Sequence, residues 1–362
     1  MKQIKTFTTR IIAGANVATV AMMLIVGLSD HINPTDFPLL ANLGLTFPIF
    51  IVVNLAFLAF WLIVKKRYAI ITFVGLLIGY VPIRTYCPLN IRADAPEGCI
   101  KVMSYNVYNF STWTEQSQRS EILDYIKEQN PDILCLQEVG LWGWKEEMVD
   151  SVLGGIYHYR DSADCQGTGD AVHIFSKMPI VGKDHIKYAS RANSSAAFHI
   201  VMGKEDTTTV VVNHFESTGL SLEDRSAFHA MMKGGVSRND AERESRLLWQ
   251  KLAEATAIRA PQADAVAKYV EARKNKSIIL VGDFNDSPIS YVHYRLASLL
   301  NDCYVASGNG PGISYHYNAF YVRIDNIMCS DDWMPYDCHI DNNIKASDHY
   351  PIVCMLKKRG TN

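Results

Sequence analysis

The sequence predicts an α/β protein in which two β-sheets pack face to face with helices outside, preceded by membrane-spanning helices. Three observations predict it. Beyond residue 98, strand-like and helical runs alternate irregularly, and several strand pairs have no helix between them. That pattern suits a layered sandwich. Long uncharged runs are almost confined to residues 1–94. In the remainder, carboxylates and amides collect at the ends of apolar runs, where layered α/β folds tend to carry their chemistry.

The N-terminal segment comes first. Ile11 to Ser29 and Phe37 to Val64 contain no charged residue, and each is long enough to cross a bilayer. The second is longer than needed, which predicts a tilt or a kink at Pro48. Tyr68 to Ile83 is a third uncharged run; the alternative for it is a buried core helix. No small-x-small site follows the first run and more runs succeed it, against a cleaved signal peptide. Residues 1–84 are therefore expected to form an anchor of three transmembrane helices, 85–98 a Pro-containing linker, and 99–362 a catalytic domain. Lys2, Lys5 and Arg10 precede the first run, and Lys65, Lys66 and Arg67 follow the second. Asp30 to Asp36 between them has two acids and no Lys or Arg. The positive-inside rule puts the basic ends in the cytoplasm. Three spans then leave the domain outside, which in a bacterial inner membrane is the periplasm.

The 362 residues carry a net charge of −2. Residues 1–94 hold eight Lys/Arg against three Asp/Glu, so the remainder is acidic, at −7. That argues against non-specific nucleic-acid binding, which needs basic surface. Eight cysteines occur without a C-x-x-C pair, against a structural zinc site. An exported domain permits disulfides, and Cys87–Cys99 and Cys303–Cys338 are the expected pairs. Cys135, Cys329 and Cys354 lie in apolar runs and read as core.

Along the domain, Ile100 to Val107 reads as a strand ending at Asn106. Gln118 to Gln129 has helical spacing, with Ile122, Tyr125 and Ile126 on one face. Ile133 to Leu136 is a strand ending in Gln137-Glu138, and Met148 to Leu153 reads as helical. Residues 160–170 read as a polar loop. Ala171 to Ser176, Ala197 to Met202 and Val210 to Val212 are strands, the last leading into Asn213-His214. Ile278 to Val281 is a strand opening through Gly282 into Asp283-Phe284-Asn285-Asp286. Val322 to Cys329 is a strand carrying Asp325. Asp348-His349 precede a last strand.

Taken singly, these polar residues read as turn or surface residues. Together they form a set. Carboxylate and amide oxygens suit Mg²⁺ or Mn²⁺, and the histidines suit phosphate contact and proton transfer. A metal, an aligned water and donors for developing charge are the parts of phosphoester hydrolysis.

The motifs SYNV, LQEV, IFSKMPI, VNHFES, GDFNDSP, RIDNI and SDHYPI, over residues 100–357, resemble those of the endonuclease/exonuclease/phosphatase superfamily. The resemblance implies a four-layered α/β sandwich with the site at a shared edge of two sheets. It implies Glu138 as main metal carboxylate, with Asn106 beside it and Asp348 supporting the metal or its waters. It implies that Asp283 aligns or deprotonates water and Asn285 holds a phosphate oxygen. It gives His349, oriented by Asp325, to the phosphorus centre and His214 to the phosphate or leaving oxygen. Asn213 is expected beside the substrate. Lys177 and Asn326 depart from the family pattern, and a site tyrosine has no secure counterpart, Tyr157 and Tyr159 being candidates. The expected function is a membrane-anchored, Mg²⁺- or Mn²⁺-dependent phosphoesterase. Its expected partners are the lipid bilayer and a phosphoester, a lipid headgroup being favoured over nucleic acid. An exported DNA nuclease and a catalytically inactive binding module are the alternatives.

Residues 221–259 are long for the gap between two site strands. Ser221 predicts an N-cap, Gly234-Gly235 a break, Asn239 a second cap and Pro261 a third start. The exposed apolar residues expected there, Phe228, Met231 and Met232, predict a lid, a surface insertion being the alternative.

Overall fold

The computed structural model describes all residues except 1, 115–116, 118, 141–143, 165–170, 204–205, 236, 275, 319 and 361–362. Twelve strands make two six-stranded sheets. The first contains β1 (Ile100–Asn106), β2 (Ile133–Gln137), β3 (Tyr159–Asp164), β4 (Ala171–Ser176), β11 (Trp333–Ile340) and β12 (Ile352–Lys358). The second contains β5 (Ile180–His185), β6 (Ser195–Gly203), β7 (Asp206–His214), β8 (Ser277–Asp283), β9 (Asn301–Asp302) and β10 (Asp325–Cys329). Their orders are β11-β12-β1-β2-β4-β3 and β5-β6-β7-β8-β10-β9.

Each sheet has one parallel pair near its centre, β1/β2 and β7/β8. Parallel neighbours require a crossover, here supplied by helices Glu121–Gln129 and Arg238–Glu271. These four strands are almost wholly buried and read as apolar runs for that reason. Val102, Ile133, Phe198, Val212, Ile279 and Ile327 meet in the core between the sheets. The predicted face of the first helix, Ile122, Tyr125 and Ile126, is buried. So are Ala263, Val266, Ala267 and Val270 over the second sheet.

The connections correct several expectations. Arg238–Glu271 is one helix, passing through Pro261 without a restart. The ring sits on the exposed face, so the missing N–H costs a hydrogen bond while buried neighbours keep the helix packed. Ser237, not Asn239, caps it, accepting from Asp240 N. β3 occupies Tyr159–Asp164, where a polar loop was expected; it is an edge strand whose polar residues face outward. The rest of that loop, with Cys165, lies outside the described residues. Cys87, Cys99, Cys303 and Cys338 are free thiols, so neither expected disulfide is present. The Sγ of Cys303 lies 3.6 Å from that of Cys329 instead, because β9 and the short helix after it pack on β10. Cys135, Cys329 and Cys354 are core residues, as expected.

The N-terminal helices also differ in number. Thr6–His31 and Pro38–Val64 are long and apolar enough to cross a membrane. The third run is a broken pair, Lys66–Ile78 and Tyr80–Tyr86, bent by 68°. Gly79 departs from helical geometry, and Pro82 lacks the N–H to bridge the break. This pair makes a third span only if it crosses as one. Within the bundle Asn16 Oδ1 accepts from Trp61 Nε1 at 3.0 Å and Thr72 Oγ1 at 2.9 Å, the internal satisfaction that polar groups need in lipid.

The anchor is fastened to the domain. Arg84 and Asn90 donate to Val305 O, and buried Arg323 donates to Thr85 O, so part of the expected linker is pinned. The opening 3-10 turn of the second long helix, Asn42–Thr46, docks on the domain as well. A Cβ on Gly44 would lie 1.9 Å from Ile289 O, an approach that glycine alone permits. Asn42 Oδ1 accepts from Thr256 Oγ1 at 2.9 Å.

Candidate active site

The C-terminal ends of β1, β2, β7 and β8 converge, and β10 and the approach to β12 complete the ring. Asn106 ends β1; its Nδ2 donates to Glu138 Oε1 at 3.0 Å and to Asp283 Oδ2 at 3.2 Å. Glu138 follows β2 with φ 52°, left-handed backbone that is uncommon for any residue with a Cβ and recurrent at functional turns. Asn285 likewise has φ 52°. Its backbone N–H donates to Asp283 Oδ1 at 2.7 Å and its side chain to Phe215 O at 2.9 Å.

His349 Nδ1 lies 2.8 Å from Asp325 Oδ2 and its Nε2 3.7 Å from Asp283 Oδ2. Burial opposes charge on this imidazole, but Asp325 and Asp283 outweigh it and raise His349 to about 10. The ring is cationic at neutral pH. Burial, reinforced by Asp325, raises Asp283 to about 6, still mainly a carboxylate at pH 7. Burial also raises Asp348, with Glu138 adding to it and His349 opposing. His214 is buried, with Nε2 3.5 Å from Glu138 Oε1 and 3.9 Å from Asp283 Oδ2.

The structure therefore brings together Asn106, Glu138, His214, Asp283, Asn285, Asp325, Asp348 and His349. Asn213 is set apart: it is fully buried, and its Nδ2 donates to Val281 O at 3.1 Å, between strands. The tyrosine candidates are also displaced. Tyr157 is core, donating to Pro131 O, and Tyr159 lies on edge strand β3. Tyr108 and Tyr315 line the cavity instead. Tyr315 packs its ring 5.0 Å from that of His349. The repeated tyrosines of Ser314-Tyr315-His316-Tyr317 are the only sequence signal that pointed there. Lys177 is spent on Asn130 O and Asp132, and Asn326 on Ile324 O.

Two groupings could hold a cation. Asp283, Asp325 and His349 place ligand atoms within 4.8 Å of one another. In that set the Asp325–His349 contact is a hydrogen bond that already uses Nδ1, so it suits proton placement better than metal binding. Glu138 and Asp348 border the open cavity, and among the described residues neither forms an ion pair with Lys or Arg. Excess carboxylate facing a cavity fits a hard divalent cation. As placed, Asn106 accepts from Tyr108 N through Oδ1, so it orients Glu138 through its amide nitrogen.

The cavity, about 200 Å³, is lined by Glu138, Asn285, Asp348 and His349 among others. Leu220 just precedes the insertion, Arg225 and Leu252 come from it, and Asn42 and Leu45 from the anchor. Arg259, also in the lining and only 2% exposed, donates to Asp286 Oδ2, Glu216 O and Thr256 Oγ1. The insertion is packed, not free. Phe228 stacks on Phe320 at 4.4 Å, and Lys251 pairs with Asp224 at 2.6 Å. Phe228 and Met231 are half-buried, not exposed as expected; the Met232 side chain lies outside the described ones.

Known structures share the fold. A crystal structure of an endonuclease/exonuclease/phosphatase from Beutenbergia cavernae is 18% identical, with TM-score 0.52 over 72% of each chain. Humanized D. rerio TDP2 is 14% identical, with TM-score 0.50 over 72% of this chain and 99% of that one. D. rerio TDP2 complexed with single strand DNA product is 13% identical, with TM-score 0.50 over 72% of this chain and 100% of that one. No curated protein matches. Residues 9–86 match a domain of unknown function (DUF8431). With residues 103–349 matching the Endonuclease/Exonuclease/phosphatase family, and its strand ends carrying the acids and histidines described, the chain belongs to that family of metal-dependent phosphoester hydrolases.

Proposed function

We propose that this chain is a membrane-anchored phosphoesterase using Mg²⁺ or Mn²⁺, whose substrate is the headgroup phosphoester of a lipid. The observation that carries the reading is the shared cavity, lined both by Glu138, Asn285, Asp348 and His349 and by the anchor residues Asn42 and Leu45. A phosphoester at the acids would have its apolar portion against the anchor.

The residues divide the work as follows. Glu138 and Asp348, with Asn106 orienting Glu138, would hold the metal. That ion supplies charge neutralisation at the phosphoryl oxygens and a more acidic water. Asp283 orients the attacking water and takes its proton, which its raised affinity suits. His349, kept cationic by Asp325 and Asp283, donates to a phosphoryl oxygen as negative charge develops. Asn285 fixes a second oxygen, and His214 faces the leaving group. The substrate panel that tests this is phospholipid vesicles, inositol phosphates and DNA, each with and without EDTA. EDTA-sensitive hydrolysis strongest on vesicles is expected. Preference for DNA would favour a nuclease, and no hydrolysis at all an inactive binding module.

We assign the cytoplasm to Lys2–Arg10 and Lys65–Arg67 from their charge; with the bent pair crossing as a third span, the domain stands on the periplasmic face of a bacterial inner membrane. A reporter active only outside the cytoplasm should work after residue 362 and fail after Arg67. The reverse pattern would overturn the orientation.

A further inference from the structure

Arg225 is a cation that the reaction scheme above leaves unused. It lies in helix Leu222–Met232, in the segment the sequence marks as an insertion. Ser221 caps the helix and shares a capping box with Asp224, and the Lys251–Asp224 pair ties it to the long helix. The guanidinium is thereby held over the cavity, 5.6 Å from the Tyr315 ring centre and 5.8 Å from that of Tyr317.

A guanidinium has five N–H donors. Among the described residues, Arg225 uses two: Nε donates to Leu220 O at 3.3 Å, and Nη1 donates to the Tyr315 hydroxyl. No carboxylate among them lies within ion-pair distance. The other cavity arginine, Arg259, differs, being spent on Asp286, Glu216 O and Thr256. Arg225 is also near the reacting groups: its charge opposes the upward shifts of Asp348, Tyr108 and Tyr315. Tyr315, which it contacts, packs on His349. A partly desolvated guanidinium with spare donors, facing acids expected to be covered by a cation, is suited to bidentate recognition of a phosphate.

We propose that Arg225 is a substrate-binding residue that clasps non-bridging oxygens of the phosphoester in the cavity it lines with Glu138 and Asp348. The inference rests on the phosphoesterase reading and assigns to the inserted helix a charged role at the same site. The recognised chemistry is the phosphate anion, whether on a lipid headgroup or a soluble ester.

The test uses the full chain in detergent or nanodiscs with Mg²⁺. Inorganic phosphate binding is measured by calorimetry. Hydrolysis of bis(4-nitrophenyl) phosphate and of phosphatidylinositol in phosphatidylcholine vesicles is followed in parallel. Arg225→Ala should weaken phosphate binding and raise KM on both substrates by roughly 10- to 100-fold, the span of one charge-assisted contact. Arg225→Lys should recover part of that loss. Phe228→Ala, which loosens the helix from Phe320 without removing charge, and Tyr315→Phe should weaken phosphate binding much less. An Arg225→Ala loss no larger than that of Phe228→Ala would make Arg225 a structural staple and overturn the proposal. A loss confined to the vesicle substrate would also overturn it. If the wild type bound phosphate through Arg225 yet hydrolysed nothing, the binding role would stand and the hydrolase reading would fall.

Discussion

Glu138→Gln should lower turnover by roughly two or more powers of ten, as for loss of a major electrostatic group. The substitution keeps the side chain's shape and its contact with Asn106. It removes the one charge that faces both the open cavity and His214 at 3.5 Å. Glu138 already occupies left-handed backbone, and glutamine meets the same constraint, so the fold should be preserved. Asp283→Asn and His349→Ala should lose activity on a similar scale. Asp283 is contacted by Asn106, His214, Asn285 and His349. His349 is the cation of the Asp325 pair. Steady-state kinetics across a Mg²⁺ titration decide this. Near-wild-type turnover of Glu138→Gln at low Mg²⁺ would remove Glu138 from the metal site.

Leu45→Gln should reduce hydrolysis of vesicle-embedded lipid by roughly tenfold, the worth of one buried aliphatic contact. Hydrolysis of bis(4-nitrophenyl) phosphate should stay nearly unchanged. Leu45 lies in the opening 3-10 turn of the second long helix, Asn42–Thr46, and lines the cavity together with Leu252. Glutamine is neutral and of similar size, so it neither repels an anion nor closes the cavity. The turn keeps its two fastenings, Gly44 against Ile289 and Asn42 to Thr256. Equal loss on both substrates, or none on either, would separate the anchor from substrate binding.

Much of the site was legible because buried parallel strands are apolar runs with polar termini. Ile100–Asn106, Ile133–Gln137 and Ser277–Asp283 all match that description, and each delivers its last residues to the same place. Edge strands were not legible. Tyr159–Asp164 and Ile180–His185 carry Arg, Asp, Lys and His and are mostly exposed or half-buried, which resembles a loop until partners are known. Asn213 was misplaced because its neighbour His214 does reach the site; a strand turns successive side chains to opposite faces. Tyr315 and Arg225 were missed because proximity across about 90 residues leaves no local spacing. The disulfides were misjudged because sequence does not reveal that Cys303 faces Cys329.

The polar chain from Asn42 through Thr256 and Arg259 to Asp286 fixes the height of the catalytic ring above the anchor. If the anchor lies in a bilayer, the enzyme cannot reach out to search solution and instead meets lipids arriving by lateral diffusion in two dimensions. Turnover would then track the mole fraction of substrate lipid in the surface. Diluting it with inert phospholipid at constant bulk concentration would slow the reaction, while diluting the vesicles themselves would leave the rate per enzyme unchanged.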